Sequence, residues 1–306
     1  MMQGVDASIL SGFRGEFAAL FAALFWALAS VVYSQVGQKI SPIVLNLIKG
    51  IIAVVLLIVT LIVQRQTFPE VPNIAILFLL LSGLIGIGIG DSAYFATLRD
   101  LGARRGLLLE TLAPPLTAIL AYIFLEERLS TFAWCGILLT ILGVAWVISE
   151  RVQETTVPNP HFWRGIGFGM IAECSQATGI LLSHFALNQT AISPLWSTLI
   201  RLSGGVAVLL LWFLFHPQLL RQSLHPLSAQ KTVGVIVLAT FLGTYLGIWL
   251  QQTSLKFTAA GIAQGLLATS PLFVLPMATI MGDRISLQAI LGSLIAIAGV
   301  VLLFRG

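Results

Sequence analysis

Charge is scarce in this chain. Only 9% of its 306 residues are Asp, Glu, Lys or Arg, against roughly 25% in soluble domains, so an ordinary water-soluble fold is excluded. Cysteine is rarer still. Cys135 and Cys174 both fall in apolar runs without a CxxC pair, which rules out a disulfide framework or thiolate metal site and predicts two small buried hydrophobes. The four histidines, His161, His184, His216 and His225, are scattered; no HExxH spacing and no Gly-x-Ser-x-Gly elbow occurs. No metal, no cofactor and no catalytic residue is expected, and the chain does not read as an enzyme. The formal charge is only +4 and no basic stripe interleaves with aromatics, so nucleic acid is not an expected partner. The opening MMQGVDASILSGFRGEF lacks the basic, apolar and small-residue succession of a cleaved leader, so the first apolar run is expected to be retained.

What the chain has in abundance is apolar length. Hydrophobic residues make up 58% and the mean hydropathy is +0.98. Runs of about 20 apolar residues recur, each able to cross a hydrocarbon core of roughly 30 Å. The reading is an all-α polytopic membrane protein whose partner is the lipid bilayer. Breaks at polar, Pro and Gly residues predict ten transmembrane helices, at 16–36, 43–63, 74–98, 103–124, 131–149, 165–187, 194–215, 232–254, 259–280 and 286–304. The longest polar connection, ERVQETTVPNPHFWR, divides the chain near its middle, giving halves 1–150 and 151–306.

The halves resemble each other. ISPIVLNLIK (Ile40–Lys49) aligns with ISPLWSTLIR (Ile192–Arg201), APPLTAILAYIFLEERLS (Ala113–Ser130) with TSPLFVLPMATIMGDRIS (Thr269–Ser286), and GILLTILGVAWVI (Gly136–Ile148) with GSLIAIAGVVLLF (Gly292–Phe304), all without gaps. An odd number of spans per half makes the second half enter the membrane from the opposite side. The prediction is therefore two inverted-topology five-helix repeats, an arrangement of secondary transporters whose site lies between the repeats. On the motifs LEERLS and MGDRIS, each followed by a Gly-rich last helix, the chain resembles the EamA-type members of the drug/metabolite transporter superfamily. Asp283 stands where that family usually has Glu. The resemblance implies alternating access and a small-molecule substrate such as an amino acid, with export as the direction.

SGLIGIGIGDSAYF (Ser82–Phe95) raises a choice between a phosphate loop and a membrane helix. Its spacing, G-x-x-G-x-G-x-G, is not the dinucleotide fingerprint, and its flanks are membrane spans. On an α-helix Gly83, Gly86, Gly90, Ala93 and Thr97 form one stripe, a surface for close helix packing. Asp91 lies just off that stripe. An acid so deep in a span is either a satisfied structural group bonded to a neighbouring Ser, Tyr or basic residue, or a site for a proton or a substrate amine. The matching position in the second half is Gly247, which favours the functional reading.

Other polar residues in the spans complete the candidate set. Glu110 either pairs with Arg104 or Arg105 at the membrane surface, the reading preferred here, or lies beside carbonyls freed by Pro114 and Pro115. Pro271 and Pro276 are the corresponding helix-break candidates. Lys49 and Arg201 occupy equivalent positions and are expected to snorkel structurally, with an anion-binding pair as the alternative. Glu173, with Gln176 one turn on, falls in span six, while Trp26, Tyr94, Tyr245, Trp249, Gln251 and Gln252 lie in spans one, three and eight, which the resemblance places around a central cavity. Each is more often packing or an interfacial anchor.

The location expected is the cell (inner) membrane, with both termini cytoplasmic as the resemblance implies. Basic residues number five on the side of the termini and nine on the other, a bias that opposes this orientation. The sequence reading is a secondary transporter with Asp91 as the candidate for proton coupling or amine binding. An anion or phosphorylated-metabolite exchanger using Lys49 and Arg201 is the alternative. A non-transporting sensor is less favoured, because the sequence ends at Gly306 directly after the last span.

Overall fold

The computed structural model describes residues 13–124, 130–149, 160–219, 230–258, 260–280 and 286–303. Every regular element among them is helical. The first half holds α1 (Arg14–Val36), α2 (Pro42–Val63), α3 (Asn73–Ser82), a first π segment (Gly83–Asp91), α4 (Ser92–Glu110), α5 (Ala113–Phe124) and α6 (Thr131–Ser149). The second holds α7 (Phe162–Asn188), α8 (Pro194–Phe215), α9 (Gln230–Thr240), a second π segment (Phe241–Leu246), α10 (Gly247–Phe257), α11 (Ala260–Leu267), α12 (Ser270–Ile280) and α13 (Leu287–Leu303). The two family-like turns at 125–129 and 281–285 and the mid-chain connection at 150–159 lie outside the described residues.

Among the described residues, six stretches are long and apolar enough to cross a membrane: Arg14–Val36, Pro42–Val63, Asn73–Glu110, Phe162–Asn188, Pro194–Phe215 and Thr232–Phe257. Thr131–Val147, Ala263–Met277 and Leu287–Leu302 are shorter apolar helices. Large apolar side chains such as Ile62, Val63, Leu214 and Phe215 point outward at the ends of α2 and α8. Outward apolar faces on so many helices suit hydrocarbon as the surrounding solvent, and the protein is a multi-pass membrane protein. Cys135 and Cys174 are exposed rather than buried. The burial expected from their apolar context does not follow here, because a thiol facing lipid loses nothing by leaving the core.

Local chemistry explains the helix limits. Pro42 and Pro194 stand in the first turns of α2 and α8, where a missing N–H costs nothing. Ser193 Oγ accepts the Trp196 N–H at 3.3 Å, a capping bond. Spans three and four are not separated by a loop. They meet at Gly102, whose φ of 80° and ψ of 170° are open to glycine alone and turn the chain sharply within α4.

The glycine run does not form an α-helix. Residues Gly83–Asp91 are π-helical, so the expected 3.6-residue stripe is replaced by wider turns. The small residues still serve close packing. A Cβ on Gly83 would fall on the carbonyl oxygen of Arg201, and one on Gly86 would come within 3.0 Å of Arg201 Nη2. Only glycine lets α8 approach this near.

Equivalent helices of the two halves run antiparallel. In the α6–α13 pair, Gly143 abuts Gly292 and Ala296, while Gly299 abuts Gly136 and Thr140. Thr140 Oγ1 also donates to the Ala296 carbonyl at 3.3 Å. In the α2–α8 pair, Gly50 meets Val206, and Ser193 beyond one end of α8 donates to Gln66 beyond the far end of α2 at 3.3 Å. Ascending numbers in one helix face descending numbers in the other.

Candidate functional site

A cavity of about 640 Å³, its mouth included, opens between the halves. Trp26, Ser30 and Tyr33 of α1 line one side, and Lys49 projects from α2. Asp91 at the end of the first π segment, with Tyr94, Phe95 and Glu110 of α4, completes the first half's share. Glu173 and Gln176 of α7, Arg201 of α8, Thr244 of the second π segment and Gln251 of α10 come from the second. Five acidic or basic side chains, Lys49, Asp91, Glu110, Glu173 and Arg201, therefore meet in one chamber.

Lys49 and Arg201 do not snorkel. They are 4% and 1% exposed, and each finds its partners inside. Lys49 Nζ makes an ion pair with Asp91 and lies 5.0 Å from the centre of the Phe95 ring. The bond joins residues 42 positions apart, α2 to the first π segment. Arg201 has amides instead. Its Nη1 donates to Gln251 Oε1 at 3.1 Å and its Nη2 to Gln176 Oε1 at 3.0 Å, while its Nε is buried without a hydrogen bond. The fork ties α8 to α7 and α10.

The remaining acids differ from Asp91. Glu173 is 1% exposed, and its Oε2 is buried without a partner. Glu110 lines the cavity beside Tyr94, instead of lying at the membrane surface where a pairing with Arg105 was expected. The Arg105 guanidinium stands 5.4 Å from the Phe162 ring centre. Tyr94 shares a hydrogen bond with Ser30 at 2.8 Å, and Trp26 Nε1 donates to the Gly243 carbonyl at 2.9 Å. These bonds hold the aromatic wall across both halves.

A smaller second chamber shares Trp26, Glu110, Glu173, Gln176 and Gln251 with the first. It reaches Pro114 on one side, and Leu267 and Ala268 on the other. Both helix breaks thus face it. The first break lies at Thr111–Leu112, where the Thr111 and Leu112 N–H groups bond three residues back. Pro114 and Pro115 then sit in the first turn of α5. The second lies at Ala268–Thr269, before Pro271 in the first turn of α12. Pro276 is inside α12 and does not end it.

Three candidates lie outside both chambers. The Tyr245 hydroxyl bonds Thr60 at 2.7 Å, Trp249 packs on the apolar cluster around Tyr245, and Gln252 bonds Ser183 and Ser197. Neighbouring positions on a helix point about 100° apart, so Gln251 faces the cavity and Gln252 faces away. Ser30, Tyr33 and Thr244 were missed. Ser30 and Tyr33 lie four and seven residues beyond Trp26, the helical spacing that could have flagged them.

Charged side chains converge on a chamber between the halves in a multi-pass helical membrane protein, an arrangement suited to moving a small molecule across the bilayer. The comparisons agree on the class. The EamA-like transporter family matches at residues 13–149 and again at 163–305. The chain belongs to that family, within the drug/metabolite transporter superfamily. It is similar to the "Uncharacterized transporter YyaM" of Bacillus subtilis, 26% identical over 227 residues, covering 74% of this chain and 72% of that protein. It is also similar to "Protein LicB" of Haemophilus influenzae, 26% identical over 160 residues, covering 51% of this chain and 52% of that protein. A solved crystal structure shares the fold with a TM-score of 0.68 and 14% identity, covering 94% of this chain and 96% of that one.

Proposed function

We propose that the protein is a secondary transporter that exports small metabolites such as amino acids. In this reading the ten predicted spans form two inverted five-helix repeats, 1–150 and 151–306, and alternating access comes from rocking one repeat against the other. The observation that carries it is the chamber itself. It draws Lys49 and Asp91 from one repeat and Glu173 and Arg201 from the other, so relative motion of the repeats would remake the site. The antiparallel α2–α8 and α6–α13 pairs support the inversion. We place both termini in the cytoplasm and the protein in the cell membrane.

Asp91 is the coupling carboxylate we favour, because its protonation would release Lys49 and loosen α2 from the first π segment. The test is flux into liposomes holding the purified protein, with pools of amino acids and other metabolites at two pH values. Wild-type flux should depend on pH, and Asp91→Asn, normalised to folded protein, should lose that dependence. Unchanged pH dependence in the variant would remove the coupling role, and no flux of any pool would remove the transporter reading.

A second reading, anion exchange on Lys49 and Arg201, is favoured by the presence of both cations in one chamber. Counterflow of phosphorylated metabolites that disappears in Lys49→Gln and Arg201→Gln would select it.

A further inference from the structure

The charges of the chamber are unequally satisfied. Lys49 and Asp91 neutralise each other. Among the described residues, Arg201 is met by the neutral oxygens of Gln176 and Gln251, and its Nε has no hydrogen bond. Glu173 Oε2 likewise has none. Both residues are 1% exposed, and a buried charged group left unsatisfied is costly. Two orphan atoms of opposite character, a guanidinium N–H and a carboxyl oxygen, therefore line one cavity.

Their spacing is set by α7. Glu173 and Gln176 are three residues apart on one face, with Cβ atoms about 5–6 Å from each other. Because Arg201 is held on Gln176, its guanidinium is brought to the face of α7 that also carries Glu173, and all three residues line the one cavity. Lysine cannot replace it here without losing the two-pronged grip. In the first half Asp91 already holds an ammonium group, that of Lys49, and Glu110 is hydrogen-bonded by Tyr94. In the second half Gly247 stands at the position matching Asp91, and a Cβ there would come within 2.6 Å of Trp26 Nε1. No acid can be accommodated beside Arg201 from that position.

We propose that Arg201 and Glu173 form an amino-acid seat, the Arg201 guanidinium taking the substrate carboxylate and the Glu173 carboxylate taking its ammonium group. This rests on the reading of the chamber as the substrate site, and it moves the amine from Asp91 to Glu173. A zwitterion satisfies both orphans and adds no net charge to the chamber. An amine alone or an acid alone satisfies one and leaves the other buried and unmet.

The test begins with the unaltered protein in detergent. Binding of the twenty standard amino acids is measured calorimetrically, and the tightest binder is then compared with its decarboxylated amine and its deaminated acid. The amino acid should bind at least tenfold more tightly than either. In Arg201→Gln, which keeps a polar group among the amides, affinity for the amino acid should fall to that of the amine, with amine binding unchanged. In Glu173→Gln it should fall to that of the deaminated acid, whose own binding is unchanged. An amine or an acid that binds wild type as tightly as the amino acid overturns the seat, as does failure of all twenty to bind. The ligand comparison needs no variant, so a misfolded substitution does not spoil it. If liposome flux is found for metabolites lacking one of the two groups, the seat fails and the transporter reading stands; if no pool moves, the transporter reading itself fails.

Discussion

Asp91→Asn takes the counter-charge from a lysine that has no water to turn to. The side chains of Lys49 and Asp91 are 5% and 13% exposed, so the ammonium left behind is the more deeply buried of the two. Breaking a buried pair by removing one partner costs about 3–5 kcal/mol. The Phe95 ring, 5.0 Å from Nζ, offsets up to about 2 kcal/mol of that once the cation is desolvated. The amide of the new Asn restores one neutral hydrogen bond, worth about 1 kcal/mol. With both offsets realised in full, we expect Asp91→Asn to lose about 0–2 kcal/mol. Lys49→Met should lose less, because the carboxylate it leaves behind is the more exposed of the two groups.

The assay is reversible unfolding in mixed micelles, followed by tryptophan fluorescence, on wild type, Asp91→Asn, Lys49→Met and the double variant. Exchanging both partners for neutral groups removes the orphaned charge, and such swaps are often close to neutral. The double variant should then recover to within about 1 kcal/mol of wild type. If it is as unstable as the sum of the single variants, the two side chains are not coupled and the argument from a buried pair fails.

The glycines give a graded test of packing against backbone. Gly83→Ala should cost about 1–3 kcal/mol by overpacking, because its Cβ would strike the Arg201 carbonyl. Gly102→Ala should cost a similar 1–3 kcal/mol through its backbone angles alone, since its Cβ would meet nothing within 4 Å. Gly234→Ala in α9, also with open space around it, should be neutral or stabilising by up to about 1 kcal/mol; equal losses at all three sites, read in the same unfolding assay, would contradict this ranking. For orientation, Lys39→Cys should react with an impermeant maleimide on intact cells, whereas Gln64→Cys should react only after the membrane is opened. The reverse pattern would place the termini outside.

Much of this architecture is written locally and could be read from residues close together in sequence. Apolar runs give spans, Pro42 and Pro194 open helices, and the gapless match of Ile40–Lys49 with Ile192–Arg201 pairs the two buried cations. Interactions across the fold could not be read this way. Nothing in sequence ties Lys49 to Asp91, because a contact between residues 42 apart depends on how α2 meets the first π segment. Snorkelling was the expected fate of Lys49 for that reason. The side chain of Gln251 was separated from that of Gln252 only by helix phase, and a π segment alters that phase. Glu110 was drawn to Arg105 by sequence proximity, whereas the bend at Gly102 carries α4 onward to the cavity.

The two π segments show how one frame carries an asymmetric site. Gly83–Asp91 and Phe241–Leu246 fall at matching places in the two halves, with Ile87 corresponding to Gly243 in the register that pairs Asp91 with Gly247. Wider π turns loosen the backbone ladder, and a buried carbonyl there needs another donor. Both donors come from the first half, but from different helices. Asn46 Nδ2 of α2 donates to the Ile87 carbonyl at 2.7 Å, and Trp26 Nε1 of α1 donates to the Gly243 carbonyl at 2.9 Å. The need is shared, but the donors are not. Asn46 lies within α2 one turn before Lys49, leaving room for Asp91 to meet the lysine. Trp26 crosses from the other half and takes the space at Gly247. The symmetric requirement of the backbone is thus met by side chains that leave one basic residue paired with an acid and the other held only by amides.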